Sequence, residues 1–200
     1  MIPMSQRYGA WDLCLLGMDF LYTRLLFPRA RIIRRPCHMR GKKYIDCGEG
    51  LTTGRYCRLD AFPEQVTSGV ILQIGRNVQI NDSVHITAIE SVKIHDHVLI
   101  ASKVFISDHN HGYYGQGYPN STPESIPAER ALFSGPVVIE ECVWIGEGVA
   151  ILPGVTIGSG SIIGANSVVC HSIPSHCIAV GVPARVIKRF NYESHTWEKA

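Results

Sequence analysis

The sequence contains no CxxC pair, no uninterrupted apolar run of membrane-spanning length, no large excess of either charge and no aromatic-rich nucleic-acid motif. Each absence removes a class of function. Without CxxC, metal ribbons and thioredoxin-like chemistry lack their thiols. The 7 cysteines are odd in number, and a 200-residue chain that is 46% hydrophobic builds a core without disulfides. Both point to a reducing, cytoplasmic setting. Leu13 to Phe27 is apolar, but Asp19 and Arg24 break it, and it falls short of the ~20 residues a membrane span needs. Asp12 and Asp19 also interrupt what would be the apolar part of a signal peptide, and no cleavage-like site follows. A formal net charge of +2 demands no nucleic-acid partner. The 8 Tyr, 6 Phe and 3 Trp are too scattered to form an RNA-stacking surface. With 18% charged residues against that apolar content, the chain is not disordered.

What is present is a six-residue period. Between residues 139 and 169 an aliphatic residue recurs at Ile139, Ile145, Ile151, Ile157, Ile163 and Val169. Val143, Val149, Val155, Ser161 and Ser167 stand two before five of these, and Gly146, Gly158 and Gly164 follow three of them. A helix would show a period of 3.6 and a lone strand a period of 2. A period of six is the signature of hexapeptide-repeat β-helices. Three short strands with their turns close a coil of 18 residues, and coils stack by parallel pairing at ~4.8 Å. That places Ile139 under Ile157, Ile145 under Ile163 and Ile151 under Val169. Each buried aliphatic side chain contributes ~1.5–3 kcal/mol, and one coil alone buries little, so stability comes from stacking. Glycine at the corners tolerates a positive φ.

The same register runs earlier in the chain. Ile74, Ile80, Ile86 and Val92 are six apart; the pattern slips by two and resumes at Ile94, Ile100 and Ile106. Ile45, Leu51 and Cys57 form an irregular first coil, and residues 61–70 leave the register as an excursion or edge hairpin. The expected fold is therefore an all-β solenoid over residues 41–188. It is interrupted by an inserted loop at 107–138 that is rich in Gly, Pro, Tyr and Asn. Loops of such length without secondary structure are usually functional or disordered, and this one separates two strictly repetitive blocks. Residues 1–40 form a helical and basic segment: Trp11, Leu15, Met18, Tyr22 and Leu25 recur at helical spacing, followed by Arg29, Arg31, Arg34 and Arg35. This segment either caps the open end of the core or makes a peripheral contact with the inner face of the membrane. Residues 189–200 are expected as a C-terminal tail or short helix, packing through Val186, Phe190 and Trp197.

The motifs VWIGEGVAILPGVTIGSGSIIGANSVV and GVPARVIK, with a histidine-bearing loop between repeat blocks, carry a resemblance to the hexapeptide-repeat acyltransferases. That group includes galactoside, maltose, serine and xenobiotic acetyltransferases. The match covers residues 74–188. With INDSVHI, ASKVFISDHNHG and the RIIR-P segment included, the chain looks most like the bacterial O-antigen and polysaccharide O-acetyltransferases. The resemblance implies a left-handed parallel β-helix, a hand opposite to ordinary parallel crossovers. It also implies a homotrimer with sites between neighbouring subunits. The implied reaction is direct transfer of acetyl from acetyl-CoA to a sugar or glycan hydroxyl, with no metal.

Residue by residue, the resemblance places the general base at His111, ten residues after Ala101. A sugar hydroxyl attacks a thioester only as a base removes its proton, and imidazole titrates near ~6.5. His109 forms an HxH pair with His111, a pattern that also suits metal; His85, His95 and His97 do not reproduce the spacing of a three-histidine zinc site. Asp108 and His109 are instead candidates for orienting His111 or contacting acceptor. Asn81 falls where sugar-modifying relatives use an Asn toward acceptor or oxyanion; the alternative is a corner Asn in a left-handed turn. Trp144, one before an inward Ile, faces out toward the thioester channel or acceptor, or packs under the loop. Positions that touch coenzyme A in the family correspond to Glu147, Ala165, Cys170, His171, Arg185 and Lys188. The two cations suit the adenosine phosphates, while Glu147, Cys170 and His171 depart from the commoner Ser and Thr-Lys pattern. The acidic acceptor residue of galactoside relatives has no match, which favours a larger or lipid-linked glycan. N-acetylation of an amino-sugar nucleotide and a non-catalytic or metal-binding β-helix scaffold are the alternatives.

Overall fold

Two-residue strands separated by four-residue turns are what a six-residue period produces. Trp144–Ile145, Ala150–Ile151, Thr156–Ile157, Ile162–Ile163 and Val168–Val169 follow one another in this way in a computed structural model that describes residues 9–64 and 69–200. The second residue of each pair is fully buried, while the first is exposed or half-buried. Residues 65–68 of the excursion, and residues 1–8 of the expected N-terminal segment, lie outside the described residues.

Successive strands are dealt in rotation to three parallel sheets, giving the molecule three faces. The first face stacks Ile32–Ile33, Thr52–Thr53, Gln79–Ile80, Leu99–Ile100, Trp144–Ile145, Ile162–Ile163 and Cys177–Gly181. The second stacks Cys37–Arg40, Cys57–Ala61, His85–Ala88, Phe105–Ser107, Ala150–Ile151 and Val168–Val169. The third stacks Ile45–Cys47, Leu72–Ile74, Val92–Ile94, Val137–Ile139 and Thr156–Ile157. Ile139 pairs with Ile157, Ile145 with Ile163 and Ile151 with Val169, the register the period requires. In the N-terminal half the steps are longer: Gln79 pairs with Leu99 and His85 with Phe105. Two more residues per coil are the origin of the two-residue slip.

The first coil begins earlier than the sequence suggested. Ile32–Ile33 and Cys37–Arg40 are already strands, paired with Thr52–Thr53 and Cys57–Asp60, so the basic segment is part of the stack. The corner glycines also differ in role. Positive φ falls on Gly148, Gly154 and Gly160, and on non-glycine residues such as Cys142 and Asn166, not on Gly146, Gly158 or Gly164. Those three are small because coils approach closely: a Cβ on Gly146 would meet the backbone N of Ala165 at 2.6 Å.

The helix Ala10–Leu26 does not pack by its apolar stripe. Its buried residues are Asp19 and Thr23, whereas Trp11 and Leu25 are each 72% exposed. The reason is the terminal strand it covers. Thr23 Oγ1 accepts the Ile33 N–H at 2.8 Å, and Asp19 receives Arg35 Nε at 2.9 Å and an Arg55 terminal nitrogen at 3.1 Å. Backbone and guanidinium groups at a sheet end need polar partners, and the helix supplies them, while Tyr22 and Phe27 close over the core.

The C-terminal segment is a hairpin, not a helix. Ala184–Asn191 pairs antiparallel with Cys177–Gly181, and Thr196–Lys199 pairs with Ala184–Asn191. Phe190 and Trp197 face each other across the strands with ring centroids 5.3 Å apart. The spacing of Val186 and Phe190 fits a helix as well as a strand; the open edge of the first sheet decides, because its unpaired backbone is satisfied only by another strand.

Candidate active site

The loop 107–138 leaves the stack at the edge between the second and third faces. It is not structureless: His109–His111 pairs antiparallel with Leu132–Ser134. Arg130 fastens the loop above this base, with Nε on Ser125 Oγ at 2.8 Å and a terminal nitrogen on Tyr114 Oη at 2.7 Å. Tyr114 Oη in turn donates to the carbonyl of His111 at 2.7 Å.

At the root of this hairpin Asp108 is fully buried. Its carboxylate accepts the backbone N–H groups of Ile89, Glu90 and Ser91 at 2.8–3.1 Å and faces His109 Nδ1 at 2.8 Å. Burial alone would raise its pKa. The His109 hydrogen bond and the backbone donors outweigh burial, and the net shift is downward, so Asp108 is a carboxylate. A carboxylate at this position holds Nδ1 and so orients the imidazole of His109. His109 is half-buried and oriented; His111, two residues on along the same strand, is exposed.

Both histidines line a cleft of about 330 Å³ over the second face, together with Arg40, Arg58, Asp60 and Phe105. Asp60 is 1% exposed and is held by Arg40 Nε at 3.0 Å and Arg58 Nε at 2.5 Å, with His85 Nε2 at 3.4 Å. Burial, then the neighbouring Arg58, pushes the His85 pKa down, so its ring is neutral at pH 7. The sequence reading missed Arg40, Arg58 and Asp60 as site residues. The signal was available for Arg58 and His85: each stands one before a buried inward residue, Leu59 and Ile86, as Trp144 stands before Ile145.

The remaining candidates fall into two groups. Cys170 and His171 sit on the same edge as Asp108, His109 and His111, in a later coil, with Cys170 Sγ 3.2 Å from His171 Nδ1. Asn81, Glu147 and Ala165 lie on the opposite edge of the second face, in the turns that link it to the first. Asn81 is exposed beside Arg34 and Arg55 and has no positive φ, so it is not a left-handed corner. Glu147 is ion-paired with Lys103 Nζ at 3.0 Å. Trp144 is exposed on the first face between Leu99 and Ile162, not beneath the loop, and Arg185 and Lys188 project from the C-terminal hairpin paired on that face. Gly148 is half-buried and Ala165 exposed, while Gly146 is buried against the next coil. Within one chain, then, Glu147, Ala165, Trp144, Arg185 and Lys188 lie away from the edge that holds His109 and His111, while Cys170 and His171 share it. Among the described residues, no three His, Cys, Asp or Glu side chains are arranged to hold a metal ion.

Residues 136–171 match the family profile described as bacterial transferase hexapeptide (six repeats). Over its whole length the chain is 48% identical to an Escherichia coli (strain K12) protein named "Putative lipopolysaccharide biosynthesis O-acetyl transferase WbbJ", covering 99% of it. It is 39% identical to the Galactoside O-acetyltransferase of the same organism, over 64% of this chain and 59% of that one. Among solved structures, AntD, an N-acyltransferase from Bacillus cereus in complex with dTDP-4-amino-4,6-dideoxyglucose and Coenzyme A, shares the fold. The TM-score is 0.66 at 22% identity, covering 83% of each chain.

Proposed function

Because the chain belongs to the hexapeptide-repeat acyltransferases, we propose that it transfers acetyl from acetyl-CoA to a sugar hydroxyl during bacterial surface-polysaccharide synthesis. The coils are read as a left-handed parallel β-helix, and the working unit as a homotrimer in the cytoplasm. The observation that carries this reading is the separation of Asp108, His109 and His111, at one edge of the second face, from Asn81, Glu147 and Ala165 at its other edge, with Trp144, Arg185 and Lys188 on the adjoining first face. A threefold arrangement sets the Asp108–His111 edge of one subunit against the surface of the next that bears Trp144, Glu147 and Ala165, and each interface then holds a complete site.

In that site Trp144 and the backbone beside Ala165 line the pantetheine path, with Glu147 at its rim, and Arg185 and Lys188 meet the phosphates. Cys170 and His171 flank the path from the other subunit. His111 takes the proton from the acceptor hydroxyl as its oxygen attacks the thioester carbon, and Asn81 lies toward the developing oxyanion. The C–S bond breaks, and coenzyme A leaves as the thiol with no acyl-enzyme between. Asp108 and His109 hold the base of the loop and bound the acceptor pocket.

One observation favours a second assignment of the base. His109, not His111, has its imidazole fixed by a buried carboxylate. The likeness to AntD likewise keeps an amino group in view as the acceptor. The test is thiol release from acetyl-CoA with hydroxyl and amino-sugar acceptors, alongside the molar mass of the oligomer. Acetyl-dependent thiol release that requires a sugar hydroxyl supports the proposal. Release with amino sugars alone replaces O- by N-acetylation, and a monomer that is fully active removes the shared site.

A further inference from the structure

The second face carries two outward ladders in register. Arg58 pairs with His85 and His85 with Phe105; Arg40 pairs with Asp60, Asp60 with Thr87 and Thr87 with Ser107. Ser107 borders the hairpin that holds His109 and His111, and its Oγ donates to the His109 carbonyl at 2.9 Å. The ladders therefore join the candidate base to a cluster of charge two strand spacings away, roughly 10 Å.

That cluster is not neutral. Asp60 is the one carboxylate lining the cleft among the described residues, and it is buried beneath two guanidiniums. A single arginine satisfies a buried carboxylate; the second leaves one positive charge over. Neutral His85 neither adds to nor cancels it. Arg40 engages Asp60 through Nε at 3.0 Å and, more weakly, through one terminal nitrogen at 3.5 Å, and Arg58 engages it through Nε, while their side chains remain 57% and 48% exposed. Arg40 stacks on Phe62 with its guanidinium carbon 4.6 Å from the ring centroid, which restricts its rotation. Both arginines line the cleft; a guanidinium held at its inner nitrogen by a buried anion, as Arg58 is, is preorganised to offer its outer nitrogens to a second oxyanion, and Arg40 adds the terminal nitrogen that is not on Asp60.

We infer that the acceptor carries an oxyanion, a sugar phosphate ester or a sugar carboxylate, and that Arg40 and Arg58 hold it while the hydroxyl to be acetylated reaches the histidines. This rests on the acetyltransferase reading of the same cleft. It narrows the acceptor from any glycan to an anionic one, and Arg40 and Arg58 become the residues that select it.

The test is equilibrium titration of the oligomer, saturated with coenzyme A, with inorganic pyrophosphate, glucose 1-phosphate, glucuronate and glucose. Coenzyme A occupies its own phosphate site, so anion binding reports on the arginines. The expected result is that pyrophosphate and at least one anionic sugar bind, that glucose binds roughly tenfold or more weakly than the better of them, and that both Arg40→Gln and Arg58→Gln remove the difference. Preference for glucose 1-phosphate over glucuronate marks a phosphate source, and the reverse a carboxylate source. Arg58→Lys, which keeps the charge over Asp60, should melt like the wild type and retain part of the anion affinity; this separates ligand binding from support of the fold. Absence of pyrophosphate binding, or anion affinity that survives both Gln substitutions, overturns the inference. Affinity for acetyl-CoA is measured with the same preparations before saturation: a wild type that does not bind it would count against the transferase reading and leave the oxyanion site standing.

Discussion

The carboxylate of Asp108 lies 2.8 Å from His109 Nδ1 while accepting three consecutive backbone N–H groups from residues 89–91. One buried anion thus ties the root of the inserted loop to the turn of the preceding coil. Asp108→Asn keeps the volume and loses the charge, and hydrogen bonds to charged groups contribute about 1.5–3 kcal/mol each. The expected loss of stability at pH 7 is about 1.5–3 kcal/mol. The Asp108 pKa is depressed in the folded protein, so its contribution is complete above the usual carboxylate value near 3.8 and is lost as pH falls through the folded value. Urea unfolding of both proteins from pH 7 to pH 3 should show the gap between them closing at the acid end. A gap that persists unchanged at pH 3 would sink the account.

The two histidines separate by what each substitution disturbs. His111 is exposed at the end of its strand, and His111→Ala should lower kcat by roughly 10²–10⁴-fold with little change in melting temperature. His109→Ala removes the partner of a buried carboxylate and should lower the melting temperature measurably, with a smaller effect on kcat. Calorimetry and steady-state kinetics on both variants decide the matter; the opposite ranking in kcat makes His109 the base.

How far the sequence could be read depended on how local the determinant was. The inward column Ile139, Ile145 and Ile151 was legible because burial repeats with the chain. That Asp108, His109 and His111 stand together was legible from the loop that breaks the repeat, which brings them to one strand root. The cluster of Arg40, Arg58 and Asp60 was not, because the residues that meet His85 are fixed by how many residues the excursion removes from the stack: Arg58 faces His85 twenty-seven positions on, while Phe105 faces it after twenty. The C-terminal hairpin was hidden for a different reason. Val186, Phe190 and Trp197 suit either structure, and only the unpaired sheet edge selects a strand. The helix misled because its buried side is chosen by an arginine pair and a strand-end N–H, which no periodicity records.

Two glycine substitutions should act in opposite directions. A Cβ on Gly146 would meet Ala165 N at 2.6 Å and Ile163 O at 2.8 Å, both backbone atoms of the next coil, so Gly146→Ala forces neighbouring coils apart. Loss of soluble oligomer or a large drop in melting temperature is expected. Gly17 lies inside the helix, where an added Cβ would meet nothing within 4 Å. Gly17→Ala should stabilise by roughly 0.5–1 kcal/mol through helix propensity alone. Thermal melts of the two variants check the pair, and a tolerated Gly146→Ala would contradict the close stacking.

The helix turns Trp11, Phe20, Leu21 and Leu25 outward, and Arg24, Arg29 and Arg31 lie near its C-terminal end. Apolar side chains flanked by cations suit the surface of an anionic bilayer. No helix among the described residues is long and apolar enough to cross one. Co-sedimentation with vesicles containing phosphatidylglycerol should be salt-sensitive and should be abolished by Leu21→Glu combined with Leu25→Glu, with the oligomer intact. Loss of the oligomer instead would assign this face to a neighbouring subunit.

The cysteines report on the N-terminal coils, whose pattern is the least regular. Cys37 is pushed up to about 12 by burial and by the neighbouring thiols of Cys57 and Cys47, and burial chiefly raises Cys47 and Cys57 to about 11. Thiolate is the reactive form, so at pH 8 these three groups are almost wholly protonated, with Cys57 buried and Cys37 and Cys47 half-buried. Cys177 is buried, Cys170 half-buried, and Cys14 and Cys142 exposed. Labelling of the native protein with a thiol-specific disulfide reagent should therefore show a fast phase from Cys14 and Cys142, a slower one from Cys170, and the remainder only on unfolding. Peptide mapping assigns the phases. Early modification of Cys37, Cys47 or Cys57 would mean that the coils beginning at Ile32 open in solution; the arginine cluster built on them could not then be the fixed oxyanion site inferred above.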